Sequence, residues 1–168
     1  FIMEVYGFRI ILDFKQADIF RDIEISDQDN FEDLHNSIVQ AFDLDTGEMS
    51  SFYKSDNNWN QGDEISLFAV DDNSQVMSEL SLSEICKEKG DKLLYIFDFL
   101  NMWTFYVELM EINEPKSGVP YPRCIYSEGL MPGEREDFQF ESHENLSEGQ
   151  GESGLFDNDI LDEFNEYE

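Results

Sequence analysis

The sequence predicts an α+β fold: a mixed or mainly antiparallel sheet packed by one main helix and a short second helix, loosely β-grasp-like, with an acidic C-terminal appendage. Three observations point there. Apolar residues alternate with a period of two in the first segments and run almost unbroken around residues 93–112, which is strand patterning. One segment carries a clear helical period. Beyond residue 113 the chain turns proline-rich, and from residue 134 it turns acidic.

The first strand is "VYGFRIILDF", where Tyr6, Phe8, Ile10, Leu12 and Phe14 share one face. After "KQAD", "IFRDIEI" places Ile19, Ile23 and Ile25 on a returning arm, and Arg21 interrupts its apolar side. "SDQDNFEDLHNSIVQAF" then offers Asp or Asn caps followed by Phe31, Leu34, Ile38, Val39 and Phe42 at helical offsets. His35 sits beside that face, where a packed side chain is the expectation. A polar stretch follows, with a short strand at "SFYKS", a strand at "EISLFAV" and a loop at "DDNSQVM". "LSLSEICKEKGD" reads as a short helix capped by Ser83 and stopped at Gly90.

"DKLLYIFDF" and "MWTFYVELMEI" are apolar at nearly every position and predict central strands covered on both faces. A two-residue turn at Leu100 and Asn101 would pair Asp98 with Trp103, with Asn101 taking the positive φ. The following "NEPKSGVPYPRC" predicts an ordered strap, because its three prolines exclude a regular central strand. The expected division is therefore a domain at residues 1–133 and a largely flexible tail at 134–168. Residues 134–168 hold 13 acids and one base, Arg135, or 1 − 13 = −12 of the chain's net charge of −29. Within that tail Phe156, Ile160, Leu161 and Phe164 would share one face of an amphipathic helix at 155–165, suited to docking in a groove on a partner or to folding back onto the chain's own body.

The charge also narrows function. With 39 acidic against 10 basic residues, direct nucleic-acid binding and attachment to anionic membranes are disfavoured, whereas a protein partner, including a basic one, is compatible. The longest apolar runs are far shorter than the roughly 20 residues of a membrane span. Cys86 and Cys124 form no paired motif and no leader pattern is visible, so a cytoplasmic location is expected.

Chemistry-bearing motifs are scarce. "DNNWNQG" resembles the start of a calcium loop, but its glycine is one position late and Leu67 stands where the bidentate glutamate belongs, so a turn is expected. His35, His143, Cys86 and Cys124 lack zinc-ligand spacing. Phosphate-cradling and hydrolase signatures are absent from the sequence. No catalytic, cofactor-binding or metal-binding residue is assigned, and no cofactor is expected. Asp98 is the best single carboxylate, because a charge in an apolar hairpin needs hydrogen bonds from Trp103, turn amides or Arg123; a structural role is expected for it.

In their order, "IFRDIEI", "DLHNSIVQAF", "LLYIFDFLNMWTFYVEL" and "YPRC" resemble the plasmid pRiA4b ORF-3-like family over roughly residues 5–135. Asp98, Phe99 and Trp103 match the family's hairpin, whereas Leu100 replaces its glycine and Asn101 its second aspartate. Leu34 and His35 match its helix motif, and Tyr121, Pro122, Arg123 and Cys124 match its strap. Leu44 and Met49 stand where the family has tryptophan and histidine. The resemblance implies an α+β fold and brings no established reaction. Asp98, Trp103, Tyr121 and Arg123 are accordingly expected to be structural residues of hairpin and strap. Three functional expectations follow: a non-enzymatic protein-interaction module, an acidic nucleic-acid mimic occupying a basic protein groove, or an enzyme with a site near Asp98, Tyr121 and Arg123.

Overall fold

The computed structural model describes residues 2–133. The expected acidic helix at 155–165 and the remainder of the tail lie outside the described residues. Residues 2–13 and 19–129 belong to one compact unit; the described residues of a second unit are the turn at 14–18 and residues 130–133.

The compact unit holds an eight-stranded sheet with strand order β5-β4-β3-β6-β7-β1-β2-β8. Its strands are β1 (Val5–Leu12), β2 (Phe20–Ser26), β3 (Ser50–Ser55), β4 (Gln61–Ser66), β5 (Gln75–Val76), β6 (Lys92–Phe97), β7 (Trp103–Asn113) and β8 (Arg123–Glu128). All neighbours pair antiparallel except β4 with β5. With helices α1 (Phe31–Phe42) and α2 (Leu82–Ile85) this is an α+β fold. Both pairings of the central strand β1 are antiparallel, which sets the sheet apart from the β-grasp arrangement expected.

α1 starts where Asn30 and Asp33 cap each other reciprocally, Asn30 Oδ1 accepting from the Asp33 amide at 2.8 Å and Asp33 Oδ2 from the Asn30 amide at 3.0 Å. It ends at Asp43, whose φ of 57° breaks the helical path. Phe31, Leu34, Ile38 and Phe42 are buried on its sheet-facing side. Phe31 meets Phe52 edge-on with ring centroids 5.2 Å apart, and Phe42 lies 4.9 Å from Phe105. Tyr95 stands between Phe52 and Phe105 and completes this aromatic layer.

Several expectations are corrected. β7 alternates buried and half-buried residues, because Thr104, Tyr106 and Glu108 face away from α1; only β6 is buried along nearly its whole length. The "DDNSQVM" stretch contributes the short parallel strand β5, and β4 begins earlier than expected, at Gln61. α2 is capped by Ser81 rather than Ser83 and closes at Cys86, well before Gly90, since the Ser81 and Glu84 pair forms the capping box. The strap ends in the edge strand β8, which its prolines precede without interrupting.

Arg21, which the alternation of β2 marks as an intruder, is buried at 4% exposure. Its Nε donates to the Ala41 carbonyl at 2.8 Å, and its Nη1 donates to the carbonyls of Phe20 at 2.9 Å and Glu128 at 2.8 Å. The guanidinium also lies 4.6 Å from the Phe42 ring centroid. A buried cation is tolerated because each described contact is an acceptor or a π face. Arg21 thereby joins the last turn of α1 to β2 and β8.

Replacing Phe52, which is fully buried against Phe31 and Tyr95, by alanine should cost about 3 to 5 kcal/mol. Urea unfolding of the two proteins measures this; a loss under about 1 kcal/mol would show that the aromatic layer is not the centre of the core.

Candidate functional site

Two polar arrangements stand out, one inside the core and one at the sheet edge. Inside, His35 Nδ1 lies 2.7 Å from the Tyr95 hydroxyl and 3.1 Å from the Ser50 hydroxyl. α1 supplies the imidazole and β6 and β3 the hydroxyls. Burial disfavours the charged ring and lowers the His35 pKa below its ordinary value, while it raises that of Tyr95 well above the usual phenol range. A neutral ring with its proton on Nε2 leaves Nδ1 as the acceptor that the Tyr95 hydroxyl needs. Ser50 and Tyr95 are both fully buried, so neither hydroxyl can meet a substrate. The trio is a core lock.

Asp98 follows β6 and opens the turn to β7. The loop spans residues 98–102, longer than the two-residue turn expected, and Phe97 rather than Asp98 pairs with Trp103. Positive φ values fall on Asp98 at 65° and Met102 at 55°, not on Asn101. Asp98 tolerates this because its short carboxylate bonds its own turn: Oδ1 accepts from the Leu100 amide at 3.1 Å and Oδ2 from Asn101 Nδ2 at 2.6 Å. Its amide donates to the Met49 carbonyl at 2.7 Å, just ahead of Ser50. Trp103 is buried on the helix-facing side of the sheet.

The strap lies elsewhere. Tyr121 precedes a cis bond to Pro122, and its hydroxyl accepts from the Lys116 amide at 3.2 Å. Arg123 begins β8 and pairs with Glu24 on β2, with Nε and Nη2 each 2.8 Å from Oε1. β7, β1 and β2 separate β6 from β8, so Asp98 is not assembled with Tyr121 and Arg123. The enzyme site expected from these three residues is corrected on that ground. Cys86 is buried and its thiol pushed up to about 12 by desolvation, which removes it as a thiolate nucleophile. Among the described residues, no group of three or more histidine, cysteine or acidic side chains is placed to hold a metal ion. Asp56 uses its carboxylate on Asn58 and Asn60 within its own turn.

At the edge, β2 is the one described strand that pairs with β8, and Ile125 and Tyr126 are about half exposed. A bulge against Asp22 and Ile23 leaves Ile125 as the extra residue. That offset puts Cys124 and Ser127 toward α1 and turns Ile125 and Tyr126 to the other face, where Tyr126 meets Phe20 at 5.6 Å. Between β8 and the outward side of α1 runs a cleft of about 360 Å³, lined by Ser37, Gln40, Ala41, Arg123, Cys124 and Ser127, among others. Sequence reasoning missed this edge, because the strap's prolines masked a strand that starts directly after them. Phe156, Ile160, Leu161 and Phe164 lie outside the described residues.

The family model for plasmid pRiA4b ORF-3-like proteins matches residues 4–148, and the chain belongs to that family. A solved protein of unknown function from Methanosarcina mazei Go1 is 22% identical, with a TM-score of 0.69 over 95% of this chain and 99% of its own, and shares the fold. No curated protein matches the chain. No helix among the described residues is long and apolar enough to cross a membrane.

Two outcomes test the core and the turn. Because the His35 pKa is lowered on folding, its contribution to stability is complete above the unfolded value of about 6.5 and declines as pH falls below it. Urea unfolding between pH 5 and 7 should show a proton-uptake component that His35→Gln lacks; identical slopes would contradict the lock. Asp98→Ala should destabilise the fold by about 1 to 3 kcal/mol, and an unchanged melting temperature would remove the turn-organising role.

Proposed function

We propose that this pRiA4b ORF-3-like protein is a non-enzymatic protein-interaction module that engages a basic partner. The supporting observation is β8, a six-residue edge strand whose second side faces no described strand and which displays Ile125 and Tyr126. Unpaired backbone groups beside exposed apolar side chains form a ready binding edge. Charge favours a cationic partner: residues 1–133 hold 26 acids against 9 bases, or −17. The acidic segment with Phe156, Ile160, Leu161 and Phe164 supplies a second contact in this reading.

Mimicry of nucleic acid is less well supported. It asks for rows of unneutralised carboxylates on a rigid face, whereas Asp22, Glu24, Glu108 and Glu111 of the sheet face Arg9, Arg123, Lys92 and Lys89.

Crosslinking capture with the full chain, with Ile125→Asp and with residues 150–168 deleted tests the proposal. A partner should be captured by the full chain and lost from Ile125→Asp at unchanged melting temperature. Loss on deletion alone would move the contact to the tail segment, and a partner retained by both variants would overturn both contacts.

A further inference from the structure

We infer that β8 and the cleft beside it form a receptor for an extended, cationic peptide segment that joins the sheet as a further strand. The inference rests on the interaction-module reading and specifies its mode. Strand addition needs an edge with unpaired backbone groups for affinity and a pocket taking alternate side chains for specificity. β8 supplies the first, since its only described strand neighbour is β2. The cleft supplies the second: it lies on the α1 side of the same strand, and its volume of about 360 Å³ accommodates one or two side chains.

The two sides of β8 differ in chemistry. Toward α1, Cys124 and Ser127 face Ser37 and Gln40 across the cleft, and the small Ala41 leaves room between them. Ser37 Oγ already donates to the Asp33 carbonyl and Cys124 Sγ to that of Tyr126, so the hydroxyl lone pairs and the Gln40 amide favour a neutral hydrogen-bonding side chain there. Away from α1, Ile125 and Tyr126 present apolar surface that suits an aliphatic or aromatic neighbour. An added strand would point its residues alternately at these two surfaces. The bulge at Ile125 is what separates them so sharply.

Charge selects the occupant. A second copy of this chain brings a net charge of −29, and the chain's own residues 134–168 bring −12, so both are repelled by the −17 of residues 1–133. A segment carrying lysine or arginine at its solvent-facing ends is attracted instead. Glu128, exposed at the end of the strand, offers a carboxylate for it.

The test is a selection of random twelve-residue peptides on the full chain, followed by binding measurements on the enriched clones. Enriched clones should be net positive, should bind at least tenfold more weakly to Gln40→Trp, which fills the cleft, and should weaken with added salt. Proline placed singly at 125, 126 and 127 should abolish binding at positions whose amide points outward while leaving the melting temperature intact. Amide NMR shifts on peptide addition should centre on residues 123–128 and 37–41. Clones that bind Gln40→Trp and the proline variants undiminished would overturn strand addition and leave the interaction module standing. Absence of enriched clones would also overturn it, with partner capture then deciding the broader reading. Two further results overturn it: a concentration-dependent dimer abolished by the proline variants assigns the edge to a second copy, and β8 shifts on truncation after residue 133 assign it to the chain's own C-terminal segment.

Discussion

The contact between His35 and the Tyr95 hydroxyl determines where α1 rests on the sheet, and much else follows from that position. Hydrophobic burial is non-directional, so the apolar stripe of α1 alone would accept several placements on an apolar sheet. A hydrogen bond inside a dry core accepts far fewer, because shifting the helix would strand a buried imidazole and a buried phenol. With this anchor made, Phe31 meets Phe52 and Phe42 meets Phe105. The last turn of the helix then offers the Ala41 carbonyl to Arg21.

Arg21 extends the chain of dependence to the sheet edge. Its guanidinium meets carbonyls from α1, β2 and β8, so the edge strand is tied to the core through a side chain and not only through the ladder to β2. The negative end of the α1 dipole lies at the same place, which favours a cation there. The cleft between α1 and β8 is consequently a bounded space, held open between an anchored helix and an anchored strand.

β1, β2 and α1 were legible in the sequence because each has one face buried and one face wet, and such elements print their period directly. β6 and β7 were legible as strands, yet the coverage of β7 was overestimated, since Tyr106 and Met110 are apolar residues on the face away from α1. The site was far less legible. Ser50 and Tyr95 lie 15 and 60 residues from His35, and nothing local marks a serine or a tyrosine as the partner of a distant imidazole. The cleft joins residues of α1 to residues of β8 more than 80 positions later, an adjacency that only tertiary packing creates. Asp98 was singled out for the right physical reason, the cost of a charge beside apolar residues, and of the donor sources expected the turn amides of Leu100 and Asn101 serve it, joined by the Asn101 side chain.

The two ends of the sheet are unequal. At the β4 end, Gly62, Asp63 and Glu64 occupy the strand and, among the described residues, only the two-residue β5 pairs beyond it, in parallel. A Cβ on Gly62 would come within 2.9 Å of the Lys54 carbonyl, so the close approach of β4 to β3 there requires glycine. At the β8 end the strand is longer and partly apolar. Lateral pairing would therefore be unequal at the two ends: a segment added at β8 would find no equivalent strand at the far edge of the described sheet, and such a sheet would favour a finite complex where one with two equal edges could seed a filament.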